Sequence, residues 1–386
     1  MKISQMAGCV EPSLTRKLFN MAGQYEDVID LTLGDPDLQP NPAIKAAACE
    51  AINRGNTRYS ANAGLPALRG AIGKCVEKEY GIAVDCDSQI AVTVGGMEAL
   101  YLTFAALIDA GDEVIIFAPY YVNYIQMIRM CGGKPVILYT DEEQGFVPAI
   151  SEVRAAVTDR TVAIVINSPS NPGGVVFKKE FLDELAALSL EYDLTVISDE
   201  VYKTLLYDGR QHESIYTREG MQERTVLIDS ISKRFAMTGY RLGYLVAPKE
   251  MAMAIIRMQE NVCACAPLPS QYAAIEALGN HLEDTNLCHI FEKRRDVLYE
   301  EITSIEGLHC LKPEGTFYAF VNISGSGLNC MDFAIRLLES QHVAVVPAIS
   351  YGEKYTDHIR IAFTKDEEVL REACRRIRAF MLNGAI

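Results

Sequence analysis

A serine, a lysine and an arginine stand close together in the stretch SISKRFAMTGYRLG, residues 230–243. Ser230 precedes Lys233 by three residues, and Arg241 follows it by eight. An amine can form a Schiff base with an aldehyde. A hydroxyl and a guanidinium can hold a phosphate, the guanidinium through two parallel hydrogen bonds. The stretch therefore suits a phosphorylated aldehyde cofactor, although on its own it also fits a solvated basic turn.

Two strand-like segments upstream end in polar residues that suit the same kind of cofactor. In DLTVISDEVY, residues 193–202, an apolar run ends at Asp199, and in TVAIVINSPSNPGG, residues 161–174, another runs into a turn containing Asn171. Ligands of open α/β sheets lie at the carboxyl ends of the strands. Asp199 can oppose a protonated pyridine nitrogen, while Tyr202 and Asn171 can bond a ring oxygen. Taken alone, Asp199 also fits an acidic helix N-cap, and Asn171 an ordinary polar turn.

Together and in this order, these motifs resemble those of the fold-type I pyridoxal-phosphate enzymes, specifically the class I/II aminotransferases. Further segments that resemble the family pattern are LTLGDPDLQP (31–40), RYSANAGLPALR (58–69), VTVGGMEAL (92–100), APYYVNY (118–124) and HIRIAF (358–363). The resemblance covers nearly the whole chain. It implies pyridoxal 5′-phosphate bound as a Schiff base on Lys233. It also implies an aminotransferase that moves the amino group of an L-amino acid (aspartate, aromatic or other) to a 2-oxo acid such as 2-oxoglutarate.

The resemblance assigns cofactor-binding roles residue by residue. The residues it implies are Tyr59, Gly95, Gly96, Met97, Tyr121, Asn171, Asp199, Tyr202, Ser230, Lys233 and Arg241. Lys233, Asp199 and Tyr202 are the catalytic residues among them. Gly95 and Gly96 open a helical stretch, whose first N–H groups suit an anion, although a plain strand-to-helix turn has the same composition.

Two tyrosine assignments carry alternatives. Tyr121 is expected to stack on the pyridine ring, with Tyr120 and Tyr124 as alternatives and core packing as the competing explanation for each. Tyr59 resembles the tyrosine that reaches the phosphate of the neighbouring subunit. That role implies a homodimer with shared sites, whereas a local helix-packing tyrosine would imply nothing about assembly.

The substrate is expected to bind through its α-carboxylate. Arg360 lies on an apolar, strand-like segment and needs an anionic partner, and the resemblance assigns it the carboxylate, helped by Gly34 and Asn171. Arg16 in the N-terminal helical segment is a candidate for a distal carboxylate. Met97 departs from the family pattern, in which this position is commonly polar and sometimes lysine. Its apolar side chain weakens the case for a pure aspartate enzyme.

Composition excludes several other classes of protein. The formal net charge of -15 argues against a nucleic-acid partner, because phosphate backbones need clustered basic surface. The 11 cysteines include no Cys-x-x-Cys pair and the six histidines show no metal-ligand spacing. We therefore expect reduced thiols, no metal and a cytoplasmic location. No apolar run is long enough for a membrane span, and none near residue 1 looks like a signal peptide.

The order of the elements predicts an α/β fold with a mostly parallel, seven-stranded sheet. The expected strands are Ile90–Val94, Glu113–Phe117, Pro135–Tyr139, Val162–Asn167, Leu194–Ser198, Thr225–Ser230 and Gly243–Ala247. The last of these follows without a long crossover and is expected to pair antiparallel. One long helical stretch is expected over about 270–305. The expected large cofactor-binding domain covers 41–290, and the smaller α+β domain combines 1–40 with 291–386.

Two alternative functions fit parts of the same pattern. A carbon–sulfur β-lyase of the same fold would keep Lys233, Asp199 and Arg360. It would release pyruvate and ammonia, whereas an aminotransferase exchanges amino groups with a 2-oxo acid. A non-catalytic ligand-sensing domain would carry a DNA-binding module ahead of this fold, and the chain begins almost directly with the fold. The aminotransferase is therefore the favoured interpretation.

Overall fold

The computed structural model describes residues 2–281 and 285–382. In this part of the chain the strands are β1 Ile29–Asp30, β2 Ile90–Thr93, β3 Glu113–Ala118, β4 Lys134–Tyr139, β5 Thr161–Asn167, β6 Thr195–Asp199, β7 Thr225–Ser230, β8 Gly243–Val246, β9 His309–Cys310, β10 Tyr318–Asn322, β11 Val343–Ala344, β12 Val346–Pro347 and β13 His358–Ala362. The α-helices are α1 Gln5–Gly8, α2 Leu14–Ala22, α3 Pro42–Asn53, α4 Pro66–Tyr80, α5 Gly95–Leu107, α6 Asn123–Met130, α7 Ile150–Ala156, α8 Lys179–Glu191, α9 Ile231–Arg234, α10 Lys249–Val262, α11 Leu268–Gly279, α12 Thr285–Thr303, α13 Cys330–Gln341 and α14 Glu367–Leu382.

The largest sheet has seven strands in the order β2-β8-β7-β6-β5-β3-β4. Every neighbouring pair is parallel except those of β8, which runs antiparallel to both β2 and β7. Between β7 and β8 lie only the short α9 and a 3-10 turn, so no long helix crosses over between them. The predicted mostly parallel sheet is confirmed, including its antiparallel strand. The strand bounds differ from the predicted ones by a residue or so.

The strands β3, β7 and β8 of this sheet are buried over their whole length, as expected when helices cover both faces. Alternate residues enter different cores. Ile228 and Leu245 pack in one apolar cluster, whereas Leu227 and Val246 pack in another on the opposite face. This packing fixes the carboxyl ends of β5, β6 and β7 at one edge of the sheet.

A smaller lobe combines both ends of the described chain. Its four-stranded sheet has the order β12-β13-β10-β9, and α12 and α14 pack together against it. Leu18 and Leu31 from the N-terminal region share an apolar cluster with residues of this lobe. The short strand β1 also pairs in parallel with β11. We therefore propose the division into 41–290 and 1–40 plus 291–386, although α12 crosses the boundary at 290.

The prediction of one helical stretch over about 270–305 is wrong. α11 ends at Gly279 and α12 begins at Thr285. A Gly-Asn pair at 279–280 stops a helix, because both residues leave the helical conformation at low cost. Separately, no helix in the described residues is long and apolar enough to cross a membrane.

Candidate active site

A cavity of about 350 Å³ lies between the two lobes, at the carboxyl ends of the parallel strands. Its lining residues are Ser13, Thr32, Leu33, Gly34, Gly96, Met97, Leu100, Tyr121, Val122, Asn123, Asn167, Asn171, Asp199, Val201, Tyr202, Ser230, Ser232, Lys233, Thr238, Arg241, Tyr318, Tyr351 and Arg360. Most of the residues that the sequence singled out are among them. The exceptions are Gly95, Tyr59 and Arg16.

The ends of three neighbouring strands supply the floor of this cavity. Asn167, Asp199 and Ser230 are the last residues of β5, β6 and β7. Asn167 Nδ2 donates to the carbonyl of Asp199 over 2.9 Å, and the amide N–H of Asn171 donates to Asn167 Oδ1 over 2.8 Å. Asn167 thus fixes both of its neighbours. Sequence reasoning passed over it, and the only signal available was its position at the end of an apolar strand.

Asp199 is a buried carboxylate with a strong donor on one side only. Tyr124 Oη donates to its Oδ2 over 2.6 Å, whereas Oδ1 receives only a long bond of 3.4 Å from the N–H of Val201. Burial raises the pKa of Asp199 to about 6, and the Tyr124 bond opposes that rise. A cation held against Oδ1 would stabilise the ionised form of Asp199. A protonated ring nitrogen is such a cation.

Lys233 lies on α9, directly after the Ser230 turn. Ser230 caps this helix, because its hydroxyl accepts the N–H of Ser232 over 3.1 Å. Lys233 Nζ donates to the carbonyl of Gly34 over 2.7 Å. Burial is the main cause that lowers the pKa of Lys233 to about 8; Asp35 opposes this shift, and the nearby cations Arg241 and Arg360 contribute to it. An appreciable fraction of the amine is therefore neutral near pH 8 and available as a nucleophile or a base.

Glycines open space for an anion at the N-terminus of α5. Gly95 has φ 77, and a Cβ there would lie 2.7 Å from Nη2 of Arg241. A Cβ on Gly243 would lie 2.5 Å from the amide nitrogen of Gly96. The N–H groups of a 13-residue helix, the Ser230 hydroxyl and the Arg241 guanidinium thus converge, and this donor set suits a phosphate.

Arg360 on β13 closes the side of the cavity formed by the small lobe. Its guanidinium is buried, donates to Asn171 Oδ1 over 3.1 Å and also bonds the carbonyl of Thr32. The rings of Tyr318 and Tyr351 lie 4.3 Å and 5.1 Å from its central carbon. Its buried Nε has no hydrogen-bond partner among the residues that the structure describes. A buried guanidinium with an unused donor suits a carboxylate ligand.

Asn123 joins Met97 and Tyr121 in a small polar cluster on another wall. Its Nδ2 lies 3.2 Å from the sulfur of Met97 and 3.1 Å from the Tyr121 hydroxyl, which itself lies 3.3 Å from that sulfur. Sequence reasoning missed Asn123 because it stands inside an aromatic segment where only the tyrosines drew attention. Met97 serves here as an acceptor of weak hydrogen bonds rather than as a ligand for charge.

The structure separates the three candidate stacking tyrosines. Tyr121 lines the cavity. Tyr120 is buried in the core, and the hydroxyl of Tyr124 donates a hydrogen bond to Asp199. Tyr202 also lines the cavity, with its hydroxyl 3.3 Å from that of Tyr318. Tyr121 is therefore the ring that is free to face a ligand.

Besides Gly95, which adjoins the lining residue Gly96, Tyr59 and Arg16 lie outside the cavity lining of this protomer. Tyr59 is 87% exposed and lines a surface groove with Cys265 and Leu268. Arg16 is exposed on α2, with its guanidinium 5.4 Å from the ring centre of Phe19. Ser13, the N-cap of α2, does line the cavity.

The residues in the cavity fit pyridoxal phosphate. Lys233 offers the amine, and Asp199 offers a carboxylate with one open oxygen. Arg241 and Ser230 form a phosphate-binding site, and a Cβ on Gly95 would collide with the Arg241 guanidinium there. Arg360 remains for the carboxylate of a second ligand. The set therefore matches an aldehyde, a pyridinium, a phosphate and a substrate carboxylate within one cavity.

Comparisons with known proteins agree with this geometry. The family model for aminotransferase class I and II matches residues 26–377. An aspartate aminotransferase from Pyrococcus abyssi is 38% identical, with 98% of this chain and 97% of that protein covered. An aromatic-amino-acid aminotransferase from Thermococcus litoralis is 36% identical, with 98% and 97% covered. The structure of the Thermus thermophilus aspartate aminotransferase with maleate superposes with a TM-score of 0.93, at 36% identity and with 98% and 99% covered. The chain belongs to the class I and II aminotransferases and has their fold type I architecture.

Proposed function

We propose that this aminotransferase uses pyridoxal phosphate attached to Lys233 and exchanges amino groups between an L-amino acid and a 2-oxo acid in the cavity between the lobes. One observation carries the proposal: Lys233, Asp199, Arg241 and Arg360 line the same cavity. Each of these side chains suits a different functional group of the cofactor or substrate. The cofactor, when bound, supplies the electron sink that stabilises negative charge at the substrate Cα.

The cofactor is held at three points in this proposal. Arg241, Ser230 and the N–H groups of Gly95 and Gly96 would bind its phosphate. Asp199 would pair its ionised carboxylate with the ring nitrogen and so favour the protonated form. Asn171 and Tyr202 would donate hydrogen bonds to the ring oxygen, and Tyr121 would supply an aromatic surface for the ring.

Lys233 Nζ moves the proton. With its pKa lowered to about 8, the neutral amine can accept the Cα proton of the substrate, hold it on Nζ and donate it again later in the reaction. Arg360 holds the α-carboxylate, so that Cα is presented to Nζ in a fixed orientation. The two lobes screen this amine and the substrate Cα from bulk water, which favours amino-group exchange over hydrolytic side reactions.

For the amino donor we propose an aromatic or other uncharged L-amino acid, with an acidic 2-oxo acid such as 2-oxoglutarate as acceptor. Met97, Leu33 and Val122 give part of the wall an apolar character. Relatives named for aspartate and for aromatic amino acids match the chain about equally well, so dicarboxylic substrates belong in the same test. Arg16 is the proposed contact for a distal carboxylate, because it lies on α2, whose N-cap Ser13 lines the cavity.

We propose a homodimer with shared sites and a cytoplasmic location. Tyr59 lies exposed in a groove with Cys265, where it is available to a second subunit. All 11 cysteines are free thiols, which suits a reducing compartment.

The attachment site provides the direct test. Reduction of the reconstituted enzyme with borohydride, followed by peptide mapping, should find the pyridoxyl label on Lys233. Lys233→Ala should lose the label and the near-visible absorbance of the bound cofactor, while phosphate contacts retain some affinity. A label on any other lysine in the wild-type protein would refute the assignment.

A further inference from the structure

A buried lysine lies behind the cofactor site, where the proposed mechanism does not use it. The Lys203 side chain is 6% exposed, and its Nζ lies 2.8 Å from Glu79 Oε2 and 2.8 Å from Asp229 Oδ2. Tyr80 Oη is a third partner, at 2.9 Å. A buried ammonium is retained only when anions compensate its lost hydration. Burial lowers the pKa of Lys203, but the anionic neighbours, led by Asp229, outweigh burial and raise it well above the usual range.

Asp229 connects this lysine to the turn that carries Lys233. Its Oδ1 accepts the N–H of Ser230 over 2.6 Å. Its Oδ2 accepts the hydroxyl of Tyr244 over 2.7 Å, beside the Lys203 ammonium. Ser230 caps α9 and lines the cavity. The position of Asp229 therefore sets the position of the phosphate-binding hydroxyl.

Glu200 adds a second buried anion to the same network. Tyr80 Oη donates to Glu200 Oε2 over 2.8 Å, and so bridges Glu200 and Lys203. The hydroxyl of Ser198 and the ring of His212 also bond this carboxylate, at 2.8 Å and 2.5 Å. Glu200 directly follows Asp199 in the chain, so its charge lies close to the proposed partner of the ring nitrogen.

Asp199 therefore stands among like charges. Burial is the main cause that raises its pKa, and the carboxylates of Asp229 and Glu200 raise it further. The titratable or charged groups around it are Tyr121, Tyr124, Glu200, Tyr202 and Asp229, with Lys233, Arg241 and Arg360 across the cavity. Arg234 lies 2.6 Å from Glu79, but the cation in contact with Asp229 is Lys203. Without the Lys203 ammonium, these carboxylates would reduce their mutual repulsion by binding a proton.

We propose that Lys203 is a positioning residue for the reaction: it neutralises Asp229 behind the cofactor site, and thereby keeps Asp199 ionised and the Ser230 turn in place. This inference rests on the proposed role of Asp199 as partner of the ring nitrogen. Removing the Lys203 charge disfavours the Asp199 anion and raises its pKa. Removing the Asp229 charge has the opposite effect.

Carbon-13 NMR of the cofactor-free full chain, labelled at the aspartate carboxyl carbons, tests this directly. Asp199→Asn assigns the Asp199 resonance. In Lys203→Met the titration midpoint of Asp199 should move up by on the order of one pH unit, the scale set by a single neighbouring charge. In Asp229→Asn it should move down by a similar amount. Lys203→Arg should keep the wild-type midpoint, and the double variant Lys203→Met/Asp229→Asn should fall between the two single variants.

Arg295→Met is the matched control. Arg295 is likewise a buried cation, 1% exposed at its side chain and bonded to Asp208, but it belongs to α12 of the small lobe. Its loss should lower the melting temperature without moving the Asp199 midpoint. Equal Asp199 midpoints in wild type, Lys203→Met and Asp229→Asn, or shifts of the same sign in both variants, would overturn the proposal. The measurement uses no cofactor, so its outcome is independent of whether Lys233 carries one.

Discussion

Asp199 and Lys233 line one cavity, and burial displaces their pKa values in opposite directions. The pKa of the carboxyl rises to about 6, and the pKa of the amine falls to about 8. Both shifts bring the pKa values closer to neutral pH, and a group whose pKa lies near the working pH transfers protons most effectively. The bond from Tyr124 and the bond to Gly34 keep each group in one orientation.

The lowered pKa of Lys233 predicts how fast the cofactor attaches. The neutral amine is the reactive form, so the rate in the cofactor-free protein should fall about tenfold per pH unit below the lysine pKa. Above about pH 8 the rate should level off, because the amine is then mostly deprotonated. Stopped-flow absorbance over pH 6–10 measures this. A rate still rising steeply at pH 9–10 would mean that the amine has an ordinary lysine pKa.

Asp199→Asn should leave the cofactor bound but cut turnover severely. The change removes the charge that stabilises the protonated ring, and breaking a buried charge pair costs about 3–5 kcal/mol. At about 1.4 kcal/mol per decade, kcat should fall on the order of a hundredfold or more. Steady-state kinetics with saturating cofactor checks this. Wild-type turnover in the variant would refute the role in stabilising negative charge at Cα.

Arg360→Lys should raise KM for all amino acid substrates alike, since each presents the same α-carboxylate. Replacing a bidentate guanidinium costs about 2–5 kcal/mol. A donor and acceptor panel measures the effect, with Arg16→Ala as the contrasting variant, which should affect dicarboxylic substrates only. Loss confined to dicarboxylic substrates in Arg360→Lys would make Arg360 a side-chain selector instead. The same panel separates amino exchange from release of pyruvate and ammonia.

At the scale of elements, strand ends and helix starts do most of the positioning. The parallel strands β5, β6 and β7 deliver Asn167, Asp199 and Ser230 to one edge of the sheet. The turn into α5 adds amide donors, and β8 returns antiparallel with Gly243 packed against Gly96. Close backbone approach at this turn therefore depends on residues without a Cβ.

Gly95→Ala should weaken cofactor binding more than it lowers stability. The new Cβ would lie 2.7 Å from Nη2 of Arg241 and would push the guanidinium away from the phosphate position. Gly81→Ala is the matched control, because Gly81 has a similar φ of 71 but nothing within 4 Å of its Cβ position. Both variants should lose about 1–2 kcal/mol from the positive φ. Only Gly95→Ala should lose cofactor affinity, as measured by titration with pyridoxal phosphate. Equal affinities of the two variants would contradict the proposed phosphate site at Gly95 and Arg241.

At the scale of the whole molecule, the cavity needs both lobes. Arg360 and Gly34 come from the small lobe, whereas Lys233 and Asp199 come from the large one. Tyr59 lies on the surface of the protomer, so its proposed phosphate contact requires a second copy of the chain. A composite site would make activity inseparable from assembly.

Mixed dimers test the shared site. Lys233→Ala and Tyr59→Ala subunits should each have little activity alone. If Tyr59 serves the partner, one site of each mixed dimer carries both changes and the other carries neither, so part of the activity should return. Activity measurements on mixtures in which mixed dimers are shown to form check this. If no activity returns, Tyr59 serves its own subunit. A protein that is monomeric at micromolar concentration would refute the shared site.

The sequence by itself determined the strands of the large sheet in their succession along the chain, the antiparallel pairing of the strand expected at Gly243–Ala247, and the family. It did so because apolar runs and turn residues are local signals, and because Ser230, Lys233 and Arg241 lie within one short segment. It failed at 270–305, where a continuous helical pattern hid the end of α11 at Gly279. The role of Tyr124 at Asp199 and the position of Asn167 were also beyond its reach.

Only the tertiary structure decided which distant residues meet. Lys203, Glu79 and Asp229 come from separate elements, and nothing in their local patterns distinguishes them from surface charges. Their pairing follows from how α4 and the segment after β6 pack against β7. Burial, which shifts the pKa values of Asp199 and Lys233, likewise depends on what covers a residue rather than on its neighbours in the chain. Local order is therefore readable from the sequence, whereas the electrostatic environment exists only once the chain has folded.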